Sequence, residues 1–367
     1  MDDWLIDDER LPLSRRSVLP GEGFFFPDSL EEERAELEAQ SALTGAGTAV
    51  VADPDADGLA CVALVREAFG EGALLPTGPH EIDEALSHVA EFAEPGARIV
   101  VCDLCPDHPD DLEALPEVVE RAGSVRWFDH HQWDDDLVRT VERAGVDLVV
   151  GDSEEECTAD VALRSLEHDF DGRFADLATA TRDHDLWIRE DPRSDDLADY
   201  AYWEEPEEYV RIVRRFGADL PEPVLEYLEE RRVEKDALIE LAVKRGETVE
   251  IGPWTVGVTY GRCSQNEVAE AMREAGADAS VIVKPAGSAS IRGTDAFDRC
   301  HEVAGRVNGG GHPKAAGCKP DIYDDMLDYA HHWTTRGAVT KRVILDAFRD
   351  VLDEAEAEDE EGIESDR

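Results

Sequence analysis

Residues 48–64, TAVVADPDADGLACVAL, decide the fold of the first half of the chain. The small and β-branched residues at 48–52 predict a buried strand, and the apolar spacing over 58–70 predicts a helix. Asp53, Asp55 and Asp57 lie between the two, at alternate positions. Side chains two residues apart in an extended segment point the same way, so we expect three carboxylates to converge. Because converging carboxylates repel each other, this stretch predicts a divalent cation among them.

Two other interpretations of this stretch are possible. A calcium-binding EF-hand loop begins with the same D-x-D-x-D-G spacing, but it requires a bidentate Glu at its twelfth position. Counting from Asp53, that position is Leu64, which cannot bind a cation. A solvated acidic turn would explain this stretch alone, but not why the next strands also end in polar clusters.

The same strand-then-polar pattern recurs further along the chain. We predict strands at 97–102, 124–128 and 147–150, and helices around 81–93, 110–122 and 135–144. Strands that alternate with helices indicate a parallel sheet covered on both faces. Asp103 follows the strand at 97–102, and Asp129, His130 and His131 follow the strand at 124–128. Ligands bind outside the carboxyl ends of such strands, so we expect one site there.

A further polar cluster, Asp183, His184 and Asp185, lies at the end of a helical run at 172–184. We expect Asp183 to be a metal ligand, with Asp185 as the alternative. Mixed carboxylate and imidazole ligation favours Mn²⁺, with Mg²⁺ or Co²⁺ as alternatives. Cys102 and Cys105 form a CxxC without a second pair, so they are interpreted as small buried residues at a strand end rather than zinc ligands.

The second half of the chain predicts a smaller α/β domain. A charged helical stretch at 221–245 precedes strands at 248–251, 255–260, 279–284 and 288–292 and a helix at 265–275. Three glycines free the backbone to approach a ligand closely, and nearby cations suit an anion. The candidate anion-binding residues are Arg292, Gly309, Gly310, Gly311, His312 and Lys314. A flexible loop is the alternative for the glycine run.

We therefore predict five segments. Residues 1–44 form an N-terminal extension, 45–195 a catalytic parallel-sheet α/β domain, 196–246 a long helical connector, 247–335 a substrate-binding α/β domain, and 336–367 a C-terminal helix with an acidic tail. The stretch 191–200 is expected to be a polar break, and the tail at 353–367 to be disordered.

Acidic residues dominate the composition: 87 Asp and Glu against 36 Lys and Arg give a net charge of −51. Self-repulsion on this scale destabilises a compact chain in dilute buffer. At molar salt the Debye length falls to roughly 3 Å, so a halophilic source explains the charge. An acidic surface for a basic partner is the alternative. The N-terminal sequence lacks a signal-peptide pattern and no apolar run could span a membrane, so we expect a cytoplasmic protein.

Taken together, these motifs resemble the DHH phosphoesterase superfamily, in the subgroup with a GGGH-bearing C-terminal domain. That subgroup includes RecJ-type exonucleases and nano-RNase-like phosphodiesterases. The resemblance covers about residues 45–335. It rests on DPDADG at 53–58, VCDLCPD around Asp103, FDHH at 128–131, Asp183 in TRDHD, Arg292 in SIRG and GGGH at 309–312.

The resemblance implies a phosphoesterase with two Mn²⁺ ions. It implies that Asp55 binds one ion and Asp57 the other, that Asp103 bridges them, and that His130 and Asp183 complete the second site. His131 would contact the scissile phosphate, and Asp129 would orient its neighbours. The nano-RNase branch has a histidine where this chain has Val51; Asp53, as in the RecJ branch, would then serve the first metal.

The expected substrate is single-stranded DNA or RNA, or a short oligonucleotide, hydrolysed from an end. The alternatives are a phosphodiesterase or phosphatase for cyclic dinucleotides or adenosine bisphosphate, and a non-catalytic replication scaffold. Replication or repair proteins and a second copy of the chain are candidate partners. The aromatic residues Trp187, Tyr200, Tyr202 and Trp203 either belong to the core or stack on bases.

Overall fold

Five short strands in the first half of the chain form one parallel sheet. The computed structural model describes residues 28–365 except 80, 107, 324 and 325. The strands lie in the order β2-β1-β3-β4-β5, and every pair is parallel. They are β1 (Thr48–Ala52), β2 (Ala73–Pro76), β3 (Arg98–Cys102), β4 (Ser124–Asp129) and β5 (Asp147–Val150).

Helices cover both faces of this sheet. They are α1 (Asp28–Leu43), α2 (Ala56–Phe69), α3 (Ile82–Phe92), α4 (Leu115–Arg121), α5 (Asp135–Ala144), α6 (Thr158–Ser165), α7 (Gly172–Asp185), α8 (Pro192–Trp203) and α9 (Pro206–Phe216), with a short 3-10 helix at Pro109–Leu112. Successive side chains of a strand point to opposite faces of the sheet, so alternate residues of the central strands belong to two different hydrophobic cores. Val50 and Val100 pack with α2, α6 and α7, whereas Val51 and Val101 pack with α3 and α4.

The predicted parallel α/β architecture is confirmed. The strand β2 was missed because its four residues, at the edge of the sheet, are too few for a clear periodic signal. The predicted polar break at 191–200 is wrong, because all but the first of these residues lie in α8. Asp191 caps that helix by accepting from the Arg193 N–H, and Pro192 suits the first helical position.

The helix α10 (Glu222–Lys244) contains the boundary between the first compact unit and a second one. The second unit comprises the described residues from 230 onward. Its sheet has the order β10-β11-β9-β8-β7-β6, where only β7 and β8 are parallel. The elements are β6 (Glu247–Ile251), β7 (Trp254–Tyr260), α11 (Gln265–Glu274), β8 (Ala279–Val283), β9 (Ala289–Gly293), α12 (Cys300–Gly305), β10 (Gly309–Gly311), β11 (Ala315–Cys318), α13 (Met326–Thr335) and α14 (Ala338–Ser365). The helix α11 supplies the crossover that a parallel pair needs.

The C-terminal tail differs from its prediction. Residues 353–365, expected to be disordered, continue α14 as a helix to Ser365. Alanine and glutamate are strong helix formers, which outweighs the charge of this stretch. Ile344, Phe348 and Val351 anchor the helix in the core of the second unit. Among the described residues, no helix is both long and apolar enough to cross a membrane.

Candidate metal centre

Three neighbouring strands deliver polar residues to one edge of the first sheet. Asp53 follows β1, Asp103 follows β3, and Asp129 ends β4 with His130 and His131 directly after it. Because β1, β3 and β4 are adjacent and parallel, these residues meet at the carboxyl edge. Asp103 has a φ of 59°, a left-handed conformation that aspartate tolerates better than most residues.

Two overlapping groups of side chains could each hold a cation. One consists of Asp103, His130 and His131, and the other of Asp57, His130 and Asp185; within each group the ligand atoms lie within 4.8 Å of one another. His130 belongs to both. Its Nε2 lies 3.2 Å from Asp185 Oδ2 and 3.8 Å from Asp103 Oδ1. The arrangement matches the ligand chemistry of Mn²⁺ and related divalent ions.

The start of α2 fixes the first aspartate cluster. Asp55 caps this helix, because its Oδ1 accepts from the N–H groups of Asp57 at 2.9 Å and Gly58 at 3.0 Å. The turn is tight: a Cβ on Gly58 would lie 2.2 Å from the Asp53 carbonyl oxygen, so only glycine fits there. Asp55 and Asp57 are thus held on a rigid element rather than on a loose turn.

The helix α6 holds two of the buried carboxylates together. Asp57 accepts from the Thr158 N–H at 2.6 Å and from the Ala159 N–H at 2.8 Å. The hydroxyl of Thr158 donates to Asp103 Oδ1 at 2.8 Å. Each carboxylate oxygen has a second lone pair, so these bonds leave capacity for a cation. The sequence does not reveal this role of Thr158, because it depends on how α6 packs against α2.

Asp129 is fully buried and oriented by two donors. Its Oδ1 lies 2.8 Å from His131 Nδ1, and its Oδ2 accepts from Trp133 Nε1 at 2.6 Å. Burial opposes ionisation, but the bonds from His131 and Trp133 hold the pKa of Asp129 below its usual value. Burial also opposes the charged form of His131, yet Asp129 raises the pKa of that imidazole to about 9. His131 is therefore a protonated ring held by Asp129.

The remaining carboxyls repel one another. Burial, reinforced by neighbouring carboxylates, raises the pKa of Asp57 and Asp103 well above the usual range. The same causes raise the pKa of Asp53 to about 8 and of Asp185 to about 7. Burial and the charge of His131 lower the pKa of His130, which keeps this imidazole neutral and able to bind a metal.

These carboxylates fit a divalent cation because no lysine or arginine of the described residues neutralises them. Within the described part of the chain, the side chains that form ion pairs with Asp103 and Asp185 are histidines, and no lysine or arginine forms a salt bridge with the cluster. Buried carboxylates normally pair with a cation or bind a metal. The donor set of carboxylates and a neutral imidazole suits a metal of the Mn²⁺ type.

Of the two candidates at the end of α7, Asp185 lies in the cluster. Its side chain is 24% exposed and faces His130. Asp183 is buried, and its Oδ1 accepts from the Glu190 N–H at 2.8 Å. Its backbone carbonyl accepts from Ile188 and Arg189, so Asp183 organises the turn that follows α7. The sequence could not distinguish Asp183 from Asp185 as the ligand. Both lie in one short polar run, and only the rotation of α7 decides which of them faces His130.

In the second unit, the glycine run is a strand rather than a loop. β10 pairs with β11, and the turn between them carries His312 and Lys314. A Cβ on Gly309 would lie 2.1 Å from the Gly317 carbonyl oxygen. Gly311 has a φ of 134° and backbone neighbours that a Cβ would also meet, whereas nothing lies within 4 Å of a Cβ on Gly310. Two of the glycines are thus needed for the hairpin, and the face of Gly310 is open.

The predicted cations of this unit have different surroundings. Arg292 lies on β9, opposite Ala315 of β11, and its Nε donates to Asn266 Oδ1 at 2.8 Å. Burial lowers the pKa of Arg292, and no carboxylate of the described residues forms a salt bridge with it. Lys314 is exposed and pairs with Asp295 at 2.5 Å. Arg292 is therefore better prepared than Lys314 to receive an anion.

Comparison with known proteins identifies the fold. No family model and no curated protein sequence matches the chain. Its structure is similar to the DHH domain of a protein described as belonging to a family of ribosomal proteins, at 13% identity, covering 93% of this chain and 95% of the other with a TM-score of 0.55. It is also similar to RecJ in complex with Mn²⁺ from Thermus thermophilus, at 18% identity and a TM-score of 0.52, covering 92% of this chain but only 56% of RecJ. The chain therefore has the fold shared by RecJ and that DHH domain.

Proposed function

We propose that this chain is a metal-dependent phosphodiesterase that hydrolyses single-stranded DNA or RNA, or short oligonucleotides, from an end. The observation that carries the proposal is the largely buried cluster of Asp57, Asp103, His130 and Asp185, whose carboxylates repel one another and lack a lysine or arginine partner among the described residues. The likeness in fold to a RecJ bound to Mn²⁺ supports both the reaction class and the metal.

The cluster would hold two Mn²⁺ ions, with Mg²⁺ or Co²⁺ as alternatives. Asp57, His130 and Asp185 would hold one ion. Asp103 would contribute to both sites, and Asp53 and Asp55 would add oxygens to the second. Ions bound there would lower the pKa of water and offset charge on the phosphoryl oxygens. Asp183 would act on the turn after α7, since its carboxylate accepts from Glu190.

His131 would contact the substrate rather than a metal. Its Nδ1 is engaged by Asp129, and Asp129 stabilises the protonated ring. A protonated imidazole can donate a hydrogen bond to a phosphoryl oxygen, where charge develops during the reaction. Asp129 would be a positioning residue, itself oriented by Trp133.

The second unit would bind a phosphate of the substrate through Arg292 and the β10–β11 hairpin. Arg292 offers a guanidinium without a competing carboxylate in the described part of the chain. Gly310 presents open backbone, which lets a ligand approach closely. His312 and Lys314 in the turn would add positive charge at the rim.

The test is an incubation series in molar KCl with Mn²⁺, because we also propose that the charge of −51 reflects a halophilic source. End-labelled DNA and RNA from dimers to 30-mers, cyclic dinucleotides and adenosine bisphosphate are the substrates. We expect product ladders that begin at one end. Preference for the cyclic dinucleotides or the bisphosphate would favour the small-molecule alternative.

The variant that tests the metal site is Asp103→Asn. Asparagine tolerates the left-handed conformation of this position, so the backbone is preserved while the anionic ligand is lost. We expect hydrolysis to fall at least about a hundredfold, beyond what loss of a supporting residue costs. If this variant hydrolysed every substrate as well as the parent, the metal site would be wrong. If neither protein cleaved anything, the scaffold alternative would be favoured.

A further inference from the structure

A small cavity adjoins the carboxylate cluster. Its volume is about 190 Å³, and it lies between the start of α2, the end of α7 and the helix α8. Asp55, Asp57 and Asp185 line one side of it. The cavity is therefore bordered by three of the proposed metal ligands, whereas His130, His131 and Asp103 do not line it.

The opposite wall is apolar and aromatic. Ala198, Ala201 and Tyr202 lie on one face of α8, three and four residues apart, and all three line the cavity. The two alanines leave the space, because larger side chains at these positions would fill it. Tyr202 is 44% exposed, whereas its neighbours Tyr200 and Trp203 are buried in the core. Of these three aromatic side chains, Tyr202 is the one that lines the cavity.

A buried hydroxyl also lines the cavity. Thr181 lies one turn before Asp185 on α7 and is 1% exposed. Its Oγ1 has no hydrogen-bond partner among the described residues. A buried polar atom without a partner is costly and rare, so it indicates a place where a ligand or water completes the bonding.

We propose that this cavity receives the planar base of a nucleotide whose phosphate lies at the carboxylate cluster. The position of the phosphate rests on the proposed function; the base pocket rests on the cavity itself. In the proposed function Asp55, Asp57 and Asp185 bind the ions, so the rest of the cavity, lined by Ala198, Ala201 and Tyr202, suits an uncharged ring. A volume of about 190 Å³ is below the range for drug-sized ligands and suits one flat ring system. Tyr202 stacks on the ring, and Thr181 bonds to its edge.

The test measures the contribution of the base to binding. Adenosine 5′-monophosphate and ribose 5-phosphate, which differ by the base, are titrated calorimetrically into the full chain with Mn²⁺ in molar KCl. Stacking on one aromatic side chain is worth about 1–3 kcal/mol, or roughly five- to 150-fold in affinity. We expect the parent protein to bind the nucleotide at least about fivefold more tightly than the sugar phosphate.

Three substitutions separate the pocket from the fold. Tyr202→Ala and Ala198→Leu are expected to reduce nucleotide affinity about tenfold, by loss of the stacking ring and by filling of the cavity, and to leave sugar-phosphate affinity unchanged. Tyr202→Phe keeps the ring and should bind like the parent. Leu37→Ala, a change at an exposed apolar residue of α1, is the matched control for a surface truncation.

The outcomes distinguish the two proposals. If the parent binds both compounds equally, or if Tyr202→Ala weakens both to the same extent, the base pocket is wrong while the phosphate site stands. If the parent binds neither compound with Mn²⁺ present, the proposed function fails, and the base pocket fails with it. Melting curves of all variants, expected to match that of the parent, verify that the loss is not one of folding.

Discussion

The metal cluster and the glycine hairpin are built in opposite ways. The cluster consists of side chains that are mostly buried, and its carboxylates raise one another's pKa. The β10–β11 hairpin has an exposed glycine strand, and the absence of side chains on its glycines leaves room for the partner strand and for a ligand. A substitution in the cluster therefore changes charge and metal affinity, whereas one in the hairpin changes shape. The following predictions test this contrast, from the largest expected effect to the smallest.

The largest effect is expected at the two adjacent histidines. His130→Ala removes a side chain shared by both ligand groups, so Mn²⁺ affinity should fall by more than the roughly 10- to 100-fold typical of supporting residues. His131→Ala should keep Mn²⁺ affinity and lose roughly 10²–10³ in kcat, because it removes a donor to the phosphoryl oxygens. Mn²⁺ titrations and initial rates measure the two effects, with His88→Ala on α3 as a control. Unchanged Mn²⁺ binding in His130→Ala would contradict the shared-ligand assignment.

The pH dependence should follow the raised carboxyl pKa values. Asp185 and Asp53, with pKa values of about 7 and about 8, hold protons that a metal must displace. Mn²⁺ affinity should therefore fall at least about tenfold between about pH 8 and about pH 6. A carboxyl whose folded pKa exceeds its unfolded value stabilises the protein fully at acid pH and loses that stabilisation as pH rises through the folded value.

Metal-free protein should accordingly melt at lower temperature as pH rises from about 5 to about 8, and Mn²⁺ should reverse the trend. The measurement is thermal melting in molar KCl, which screens the net charge of −51. Asp53→Asn removes one of the titrating groups and should flatten the profile. A pH profile that is the same for parent and variant would show that the repulsion between these carboxyls has no effect on stability.

A smaller effect is expected at Thr158, which supports the cluster without touching the substrate. Thr158→Val removes the hydroxyl that donates to Asp103 and keeps the backbone N–H that donates to Asp57. Mn²⁺ affinity should weaken about tenfold, at the lower end of the range for residues that orient ligands. Thr158→Ser should restore it. If the valine variant bound Mn²⁺ as the parent does, α6 would be only a structural neighbour of the cluster.

The smallest effect is expected in the hairpin. Gly310→Ala adds a methyl group that meets no atom within 4 Å, so the melting temperature should not change. If the substrate approaches this face, KM should rise roughly fivefold, the lower end of what overpacking costs. Gly311→Ala, with a φ of 134°, should instead lower the melting temperature. A Gly310→Ala variant with unchanged KM would place the substrate elsewhere in the second unit.

Much of the first sheet was predictable, because its buried strands are continuous apolar runs and the candidate ligands follow them directly. Asp53, Asp103 and His130 could be located in this way. The short edge strand β2 and the start of α8 at Pro192 could not, since four residues carry little periodicity and a polar helix start resembles a loop. The extension of α14 through the acidic tail was not predicted, because the high charge of this stretch is typical of disorder whereas its alanines and glutamates favour a helix.

The sequence could not resolve the site where packing decides. Thr158 and Trp133 orient the cluster from a helix and a loop whose positions no local pattern reveals. Asp183 and Asp185 differ by two helical positions, and only the orientation of α7 brings one of them to His130. The glycine strand β10 was not foreseen because glycine has a low intrinsic preference for strands.

The bonds from α6 to Asp57 have a consequence for local opening of the structure. The amide protons of Thr158 and Ala159 can exchange with solvent only when their bonds to this carboxylate break. A cation that fixes Asp57 would therefore slow hydrogen exchange at the first turn of a helix that supplies no ligand to either group. By reciprocity, whatever loosens that turn should weaken cation binding by the same free energy. Cation binding at the centre could thus be measured from the hydrogen-exchange rates of two backbone amides that are not ligands.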